Sequence, residues 1–194
     1  MTTANSRIAD HPVEKIFLER WSPRAFTGEE ISEAELRTMF EAARWAPSCY
    51  NSQPWRFVYA RRDNAHWDKL LRLLIPFNQS WAKAASALVF IVSRDTMPGK
   101  DEPVPQPAHA LDAGAAWGYL ALQAAFMGWY AHGMAGIEWD QVNKVLNVPP
   151  GHHVHAAVAI GKKAPASQLP EALQAREHPS PRNPVSDFIF EGGF

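Results

Sequence analysis

The sequence of 194 residues holds a single cysteine, Cys49. That excludes a disulfide within the chain and a zinc cage built from several thiolates. Neither sign of charge is in excess: 19 Lys and Arg stand against 20 Asp and Glu, a formal net charge of −1. A polyphosphate partner such as DNA or RNA selects for a basic surplus, so no nucleic-acid partner is expected. Long apolar runs are also missing. The longest, Ala113 to Met127, is Ala-rich, interrupted by Gln123, and shorter than the roughly 20 residues a bilayer span needs. It reads as a buried helix of a soluble domain, with no membrane partner. Met1 to His11 lacks the basic start and apolar core of a secretory signal, so a cytoplasmic location is expected. Neither an internal repeat nor a low-complexity tract occurs, and residues 1–194 read as one domain, a length that buries roughly 70% of the unfolded surface.

Aromatic residues and proline are plentiful by contrast, with eight Trp, ten Phe and sixteen Pro. Such aromatics build a core or line a site for a flat ligand. Val13 to Arg20 reads as a short helix stopped before Ser22-Pro23. Ser32 and Glu35 have capping-box spacing and open a helix whose apolar face carries Leu36, Met39, Phe40 and Ala43. Pro47 ends it; a loop, Ser48 to Pro54, leads into a strand, Arg56 to Ala60. Helices are expected over Asp63 to Leu74, Gln79 to Ala85, His109 to Gly128 and Asp140 to Leu146, with a further one after Lys163. Strands are expected over Ala87 to Val92, an unbroken apolar run, over Tyr130 to Ala135 and over Val154 to Ile160. Thr96 to Pro107 is a short proline-rich loop, and Phe188-Ile189-Phe190 near the C-terminus has an apolar strand pattern suited to pairing with another chain. Helices alternating with a few strands make an α+β chain, a mixed α/β sandwich.

Three segments carry chemistry. Arg20-Trp21-Ser22-Pro23-Arg24 gathers two guanidinium groups and a hydroxyl at a helix-to-loop junction, a cradle for one phosphate or a solvated surface pair. Pro47-Ser48-Cys49-Tyr50-Asn51-Ser52-Gln53-Pro54-Trp55 sets small polar residues between prolines, where they read a heteroaromatic edge or simply make an Asx-type connection. His132-Gly133-Met134-Ala135-Gly136 follows a strand, and its small residues let a planar ligand lie on the backbone, though an ordinary turn uses glycines equally well.

Together these segments resemble the nitroreductase family of FMN-dependent oxidoreductases. The family's Arg-x-Ser-x-Arg-x-Phe opening appears as Arg20, Ser22, Arg24 and Phe26. Its Ala-Pro-Ser-x-x-Asn-x-Gln-Pro-Trp-x-Phe segment runs from Ala46 through Asn51, Gln53 and Trp55 to Phe57. Met134-Ala135-Gly136, the strand ending in Gly161 and the tail Arg182-Asn183-Pro184 with Phe190-Glu191-Gly192 are similar too, so the resemblance extends from about Val13 to Phe194. It implies a mainly antiparallel sheet flanked by helices, and a homodimer that exchanges its C-terminal strand. It also implies FMN as cofactor, NADH or NADPH as cosubstrate, and ping-pong reduction of a small-molecule acceptor such as a nitroaromatic or quinone. Arg20, Ser22 and Arg182 would hold the phosphate and ribityl end, with Trp21 beside them, and Arg24 the flavin N1/C2 edge. Pro47, Ser48, Cys49 and Asn51 would come from the other subunit. The backbone of Met134, Ala135 and Gly136 would face the N4/N5 side, with Asn78 as a further ring-edge amide. No protein side chain is assigned the chemical step, because the flavin carries it; Arg24 lends electrostatic support.

The sequence departs from the family in three places, one of them Trp21, bulky where a small or polar residue is common. Some members carry a second cation two positions before the tail arginine; Ser180 stands there, so the phosphate has one fewer cation nearby unless Lys162 or Lys163 supplies it. Thr96 to Pro107 is short where members place substrate-covering helices, which implies an open site. The same fold supports dehalogenation, flavin fragmentation or flavin binding without turnover. Outside the resemblance, Cys49 is a candidate nucleophile, and His152, His153 and His155 a candidate metal patch that lacks a carboxylate in sequence, so no metal is expected.

Overall fold

The computed structural model describes residues 3–194. An N-terminal hairpin of β1 (Thr3–Ala4) and β2 (Arg7–Ile8) precedes α1 (Ile16–Glu19) and α2 (Glu33–Arg44). Then come β3 (Trp55–Arg61), α3 (Trp67–Leu71), α4 (Pro76–Ala82), β4 (Ala87–Arg94), and the two-residue strands β5 (Thr96–Met97) and β6 (Val104–Pro105). The chain continues through α5 (His109–Phe126), β7 (Tyr130–Met134), α6 (Trp139–Val145), β8 (His152–Gly161) and α7 (Glu171–Gln174). The main sheet has the order β3-β4-β8-β7, antiparallel throughout.

Strand β4 shows why the protein is a three-layer sandwich. Its alternate residues Ala87, Val89 and Ile91 join a core beneath α2 and α5, with Leu36, Met39, Ala116, Leu120 and Trp129. Leu88, Phe90 and Val92 point the other way, into a core with Trp67, Leu70, Leu74, Trp81 and Ile137. Apolar on both faces, an inner strand reads as an unbroken apolar run. The capping box opens α2 as expected: the Ser32 hydroxyl accepts from Glu35 N, and the Glu35 carboxylate accepts from Ser32 N.

Several elements differ from the sequence expectation. The helix expected over Val13 to Arg20 is reduced to Ile16–Glu19; Lys15 supplies no side-chain cap and Arg20 is already extended. Asp63 to Leu74 is helical only over Trp67–Leu71, because Asp63 takes a left-handed φ of 62° and Asn64 Oδ1 accepts from His66 N, making a turn instead. The helix expected over Gln79 to Ala85 begins and ends earlier, at Pro76–Ala82, with proline at its first position. Thr96 to Pro107 is a small ribbon rather than plain loop, since Thr96 pairs with Pro105 and Met97 with Val104. Phe188, Ile189 and Phe190 form no strand: a 3-10 turn at Val185–Asp187 precedes them and all three are exposed.

Candidate functional site

Arg20 caps the C-terminus of α1, and its extended backbone (φ −64°, ψ 124°) turns the chain into Trp21–Phe26. That segment is stitched to the end of β8 and the residues after it: Thr27 N donates to Lys162 O and Ala164 N to Ala25 O, both at 2.9 Å. Between this segment, β7 and the C-terminal tail lies a cavity of about 390 Å³. Arg20, Trp21, Ser22 and Arg24 line it from one side, His132 from β7, and Arg176, His178, Ser180 and Arg182 from the tail; Arg7 of the hairpin completes it. Five arginines therefore share one cavity, and no carboxylate lies among its lining residues.

The electrostatics follow from that composition. Burial, then the neighbouring Arg182, pulls the pKa of Arg20 below the usual arginine range; burial, then Arg176, does the same to Arg24, with Glu177 acting in the opposite sense. Glu177 also anchors the backbone of this segment. Its Oε1 accepts from the backbone N–H groups of Arg24 and Ala25, at 2.8 and 2.9 Å. Arg24 Nε is buried with no partner among the described residues. Crowded guanidinium groups, one with an orphaned donor, form a site that an anion completes.

His132 is held neutral here. Its Nδ1 lies 2.8 Å from Pro23 O, so that nitrogen donates, and burial foremost, with Arg24 and Arg20 adding repulsion, takes its pKa down to about 4. Trp81 packs against the imidazole with ring centroids 4.7 Å apart.

Asn78 and Gly136 come together at a separate place. Asn78, buried in α4, donates from Nδ2 to Gly136 O at 2.9 Å, and Ile75 N donates to the same carbonyl at 3.1 Å. A Cβ on residue 136 would sit 2.5 Å from Asn78 Nδ2 and 2.7 Å from Ile75 Cδ1, so the close approach requires glycine. Ala135 beside it is exposed, whereas the Met134 side chain lies in the core. None of these four residues lines the arginine cavity.

The Pro47–Asn51 loop does not line that cavity within its own chain. It docks on the N-terminal turn of α5, where Asp112 Oδ2 accepts from Cys49 N at 3.1 Å and from Gln106 Nε2 at 2.6 Å. Ser48 Oγ accepts from Gln53 N, and Tyr50, Asn51 and Gln53 all have left-handed φ, between 45° and 53°. Tyr50 is 87% exposed.

Neither lysine proposed as the replacement cation lines the cavity. Lys162 Nζ donates to Gly128 O at 3.1 Å and lies 4.2 Å above the Trp129 ring, while Lys163 Nζ sits 5.8 Å from the Trp21 ring centroid. Arg7, Arg176 and His178 line it instead, and sequence reasoning missed all three. They carry no motif, and only the fold brings residues so far apart in the chain to one wall. The histidine patch acquires the carboxylate its sequence lacks: His153 Nε2 is 2.8 Å from Asp95 Oδ2. A register shift opposite Ile91/Val92 makes His155 an extra residue in β8, and Ser93 Oγ bridges its Nε2 to His109 Nδ1. Among the described residues no group of three or more His, Cys, Asp or Glu is arranged to hold a metal ion. No helix among them is long and apolar enough to cross a membrane.

The nitroreductase family model matches residues 18–79 and 76–162. The chain belongs to the nitroreductase family. A solved oxidoreductase containing FMN is similar along its whole length, 48% identical with a TM-score of 0.97, covering 100% of this chain and 98% of that one. An NADH dehydrogenase of Thermus thermophilus is 28% identical over 186 residues, 79% of this chain and 89% of that protein. An oxygen-insensitive NADPH nitroreductase of Helicobacter pylori (strain J99) is 37% identical over 89 residues, 45% of this chain and 41% of that protein, so the match spans less than half of that relative.

Proposed function

We propose that this nitroreductase-family chain is an FMN-dependent NAD(P)H:acceptor oxidoreductase that works as a homodimer and reduces nitroaromatic, quinone or related small molecules. The observation that carries the reading is the arginine-lined cavity with no facing carboxylate and with Arg24 Nε unpartnered. A phosphate monoester, with charge near −2, matches that deficit of anion. Arg20, Ser22 and Arg182 hold the phosphate, and the neutral His132 adds no further positive charge beside them. Arg24 offers its guanidinium to the N1/C2 edge of the ring system, where negative charge gathers on reduction. Bound there, FMN supplies hydride transfer at its N5 atom, from NADH or NADPH and on to an acceptor in a ping-pong sequence. The backbone at Ala135–Gly136, held to Asn78 at a separate place, would meet the N4/N5 side of the ring system.

Two features support the dimer. Helix α5 leaves Leu111, Tyr119 and Phe126 exposed on an apolar face, at 76, 43 and 68%, with Gly114 and Gly118 opening space between them. The Pro47–Asn51 loop does not line the cavity of its own chain, sits at the N-terminal end of that helix, and would serve the cavity of a second copy.

The test is spectroscopic. Purified protein reconstituted with FMN should show flavin absorbance, bleach under NADH or NADPH without air, and recover on adding a quinone or nitroarene. Arg24→Ala should slow bleaching more than it loosens flavin, and Arg20→Ala the reverse. Flavin retained at full occupancy by the Arg20 variant overturns the phosphate assignment. Bound flavin that neither nicotinamide bleaches overturns the reductase reading in favour of dehalogenation, fragmentation or binding without turnover.

A further inference from the structure

We infer that Arg7, on the N-terminal hairpin, is the second cation of the phosphate site and takes the place left empty of charge at Ser180. The inference rests on reading the cavity as an FMN phosphate site. The tail position two before Arg182 is serine, and its side chain is already engaged, accepting from Arg182 Nη1 at 3.1 Å. Its carbonyl, however, accepts from Arg7 Nε at 2.9 Å, which brings a guanidinium to that point from the opposite end of the chain.

The hairpin holds this guanidinium in one place. Asn5 and Ser6 form a two-residue turn, both with positive φ (51° and 60°), the geometry that suits the twist of a tight hairpin. Ala4 pairs with Arg7 across it, and Asn5 Nδ2 donates to Glu19 O at 2.9 Å, docking the turn on α1. Arg7 Nη1 then donates to Leu18 O and Arg20 O, both at 2.9 Å. These are carbonyls at the end of a helix, where no intrahelical donor remains.

The donor inventory decides what is left over. An arginine has five N–H donors. Nε and the two hydrogens of Nη1 are used on Ser180, Leu18 and Arg20, which leaves the two hydrogens of Nη2. Arg7 lines the same cavity as Arg20, Ser22 and Arg182. Burial and the proximity of Arg182 and Arg20 lower its pKa, the mark of cations converging on one volume. Lys162 and Lys163 are committed to Trp129, Gly128 and Trp21 and line none of it. Three guanidinium groups thus face one phosphate, drawn from the hairpin, the end of α1 and the tail.

A purely structural role, a clasp between α1 and the tail, predicts something different, and riboflavin separates the two. Riboflavin has the ring and ribityl chain of FMN without its phosphate. Binding of FMN and of riboflavin to the flavin-stripped full-length protein, followed by quenching of flavin fluorescence, should show Arg7→Gln weakening FMN by roughly tenfold to a hundredfold, the range of one charge-assisted hydrogen bond. Riboflavin affinity should stay within about twofold of the parent. Equal weakening of both flavins, or of neither, overturns the assignment. Arg7→Lys keeps the charge but loses the three-carbonyl geometry, so it should retain FMN better than Arg7→Gln. This comparison also decides the matter if the glutamine variant folds poorly: a lysine variant that folds but weakens FMN and riboflavin equally refutes the phosphate role. A parent protein that binds riboflavin and FMN equally refutes the phosphate reading itself, and Arg7 falls with it.

Discussion

Gly161→Ala tests whether the segment carrying the site is packed as tightly as the structure shows. Gly161 ends β8, and a Cβ built there lies 2.6, 2.9 and 3.2 Å from Cδ1, Cγ and Cβ of Phe26. Carbon atoms rest at about 3.5–4.0 Å, so the ring has to retreat by about 1 Å. It has little freedom to do so. Phe26 is 2% exposed and the Trp81 ring packs 6.3 Å away, centre to centre. The flanking hydrogen bonds, Thr27 N to Lys162 O and Ala164 N to Ala25 O, tie its backbone to the chain that carries Gly161. Overpacking of a well-filled core costs about 1–3 kcal/mol, and the backbone ties put this site near 2. For a chain of this length that corresponds to a fall in Tm of about 4–8 °C. Urea denaturation of flavin-free protein should show a lower midpoint at unchanged slope. In a Phe26→Ala background, which removes the two nearest ring atoms, Gly161→Ala should cost under about 0.5 kcal/mol, giving a coupling that a cycle measures directly. Because Arg24 lies two residues before Phe26, FMN should also bind more weakly to the single variant. A Gly161→Ala protein within about 0.5 kcal/mol of the parent, or an undiminished penalty without the ring, refutes the reasoning.

Two further outcomes follow. His132 has its folded pKa lowered from 6.5 to about 4, so its contribution is fully present above pH 6.5 and is lost as pH falls through that window, up to about 3 kcal/mol in all. His132→Gln, compared with the parent by urea denaturation at pH 7.5 and pH 4.5, should flatten the acid loss; an equal loss in both proteins rejects the assignment. Leu111→Glu with Phe126→Glu places charge on the exposed face of α5 and should halve the mass seen by light scattering at micromolar concentration; an unchanged mass shows that this face is not the contact.

Legibility in the sequence followed how local the physics was. Strand β4, the capping box of α2 and the long α5 rest on neighbours in sequence, and each stood where the residues predicted it. Helix α1 shrank because its start has no capping side chain, and α3 because a left-handed Asp63 and an Asn64 turn took its first residues. The cofactor-site candidates Arg20, Ser22, Arg24 and Arg182 do share one cavity, yet Arg7, Arg176 and His178 share it without any motif. Arg7 meets Ser180 across 173 positions, and no local pattern encodes that meeting. Asp95 likewise reached His153 only through the pairing of β4 with β8.

The loop around Tyr50 carries one last implication. Three left-handed residues without glycine store about 1–2 kcal/mol each, and the loop persists because Asp112, Ser48 and Gln106 fasten its backbone and side chains. A tip already locked in shape gives up little disorder when another surface covers it, so encounter does not wait on rearrangement. The strain is stored during folding, and a surface that meets Tyr50 finds it preset.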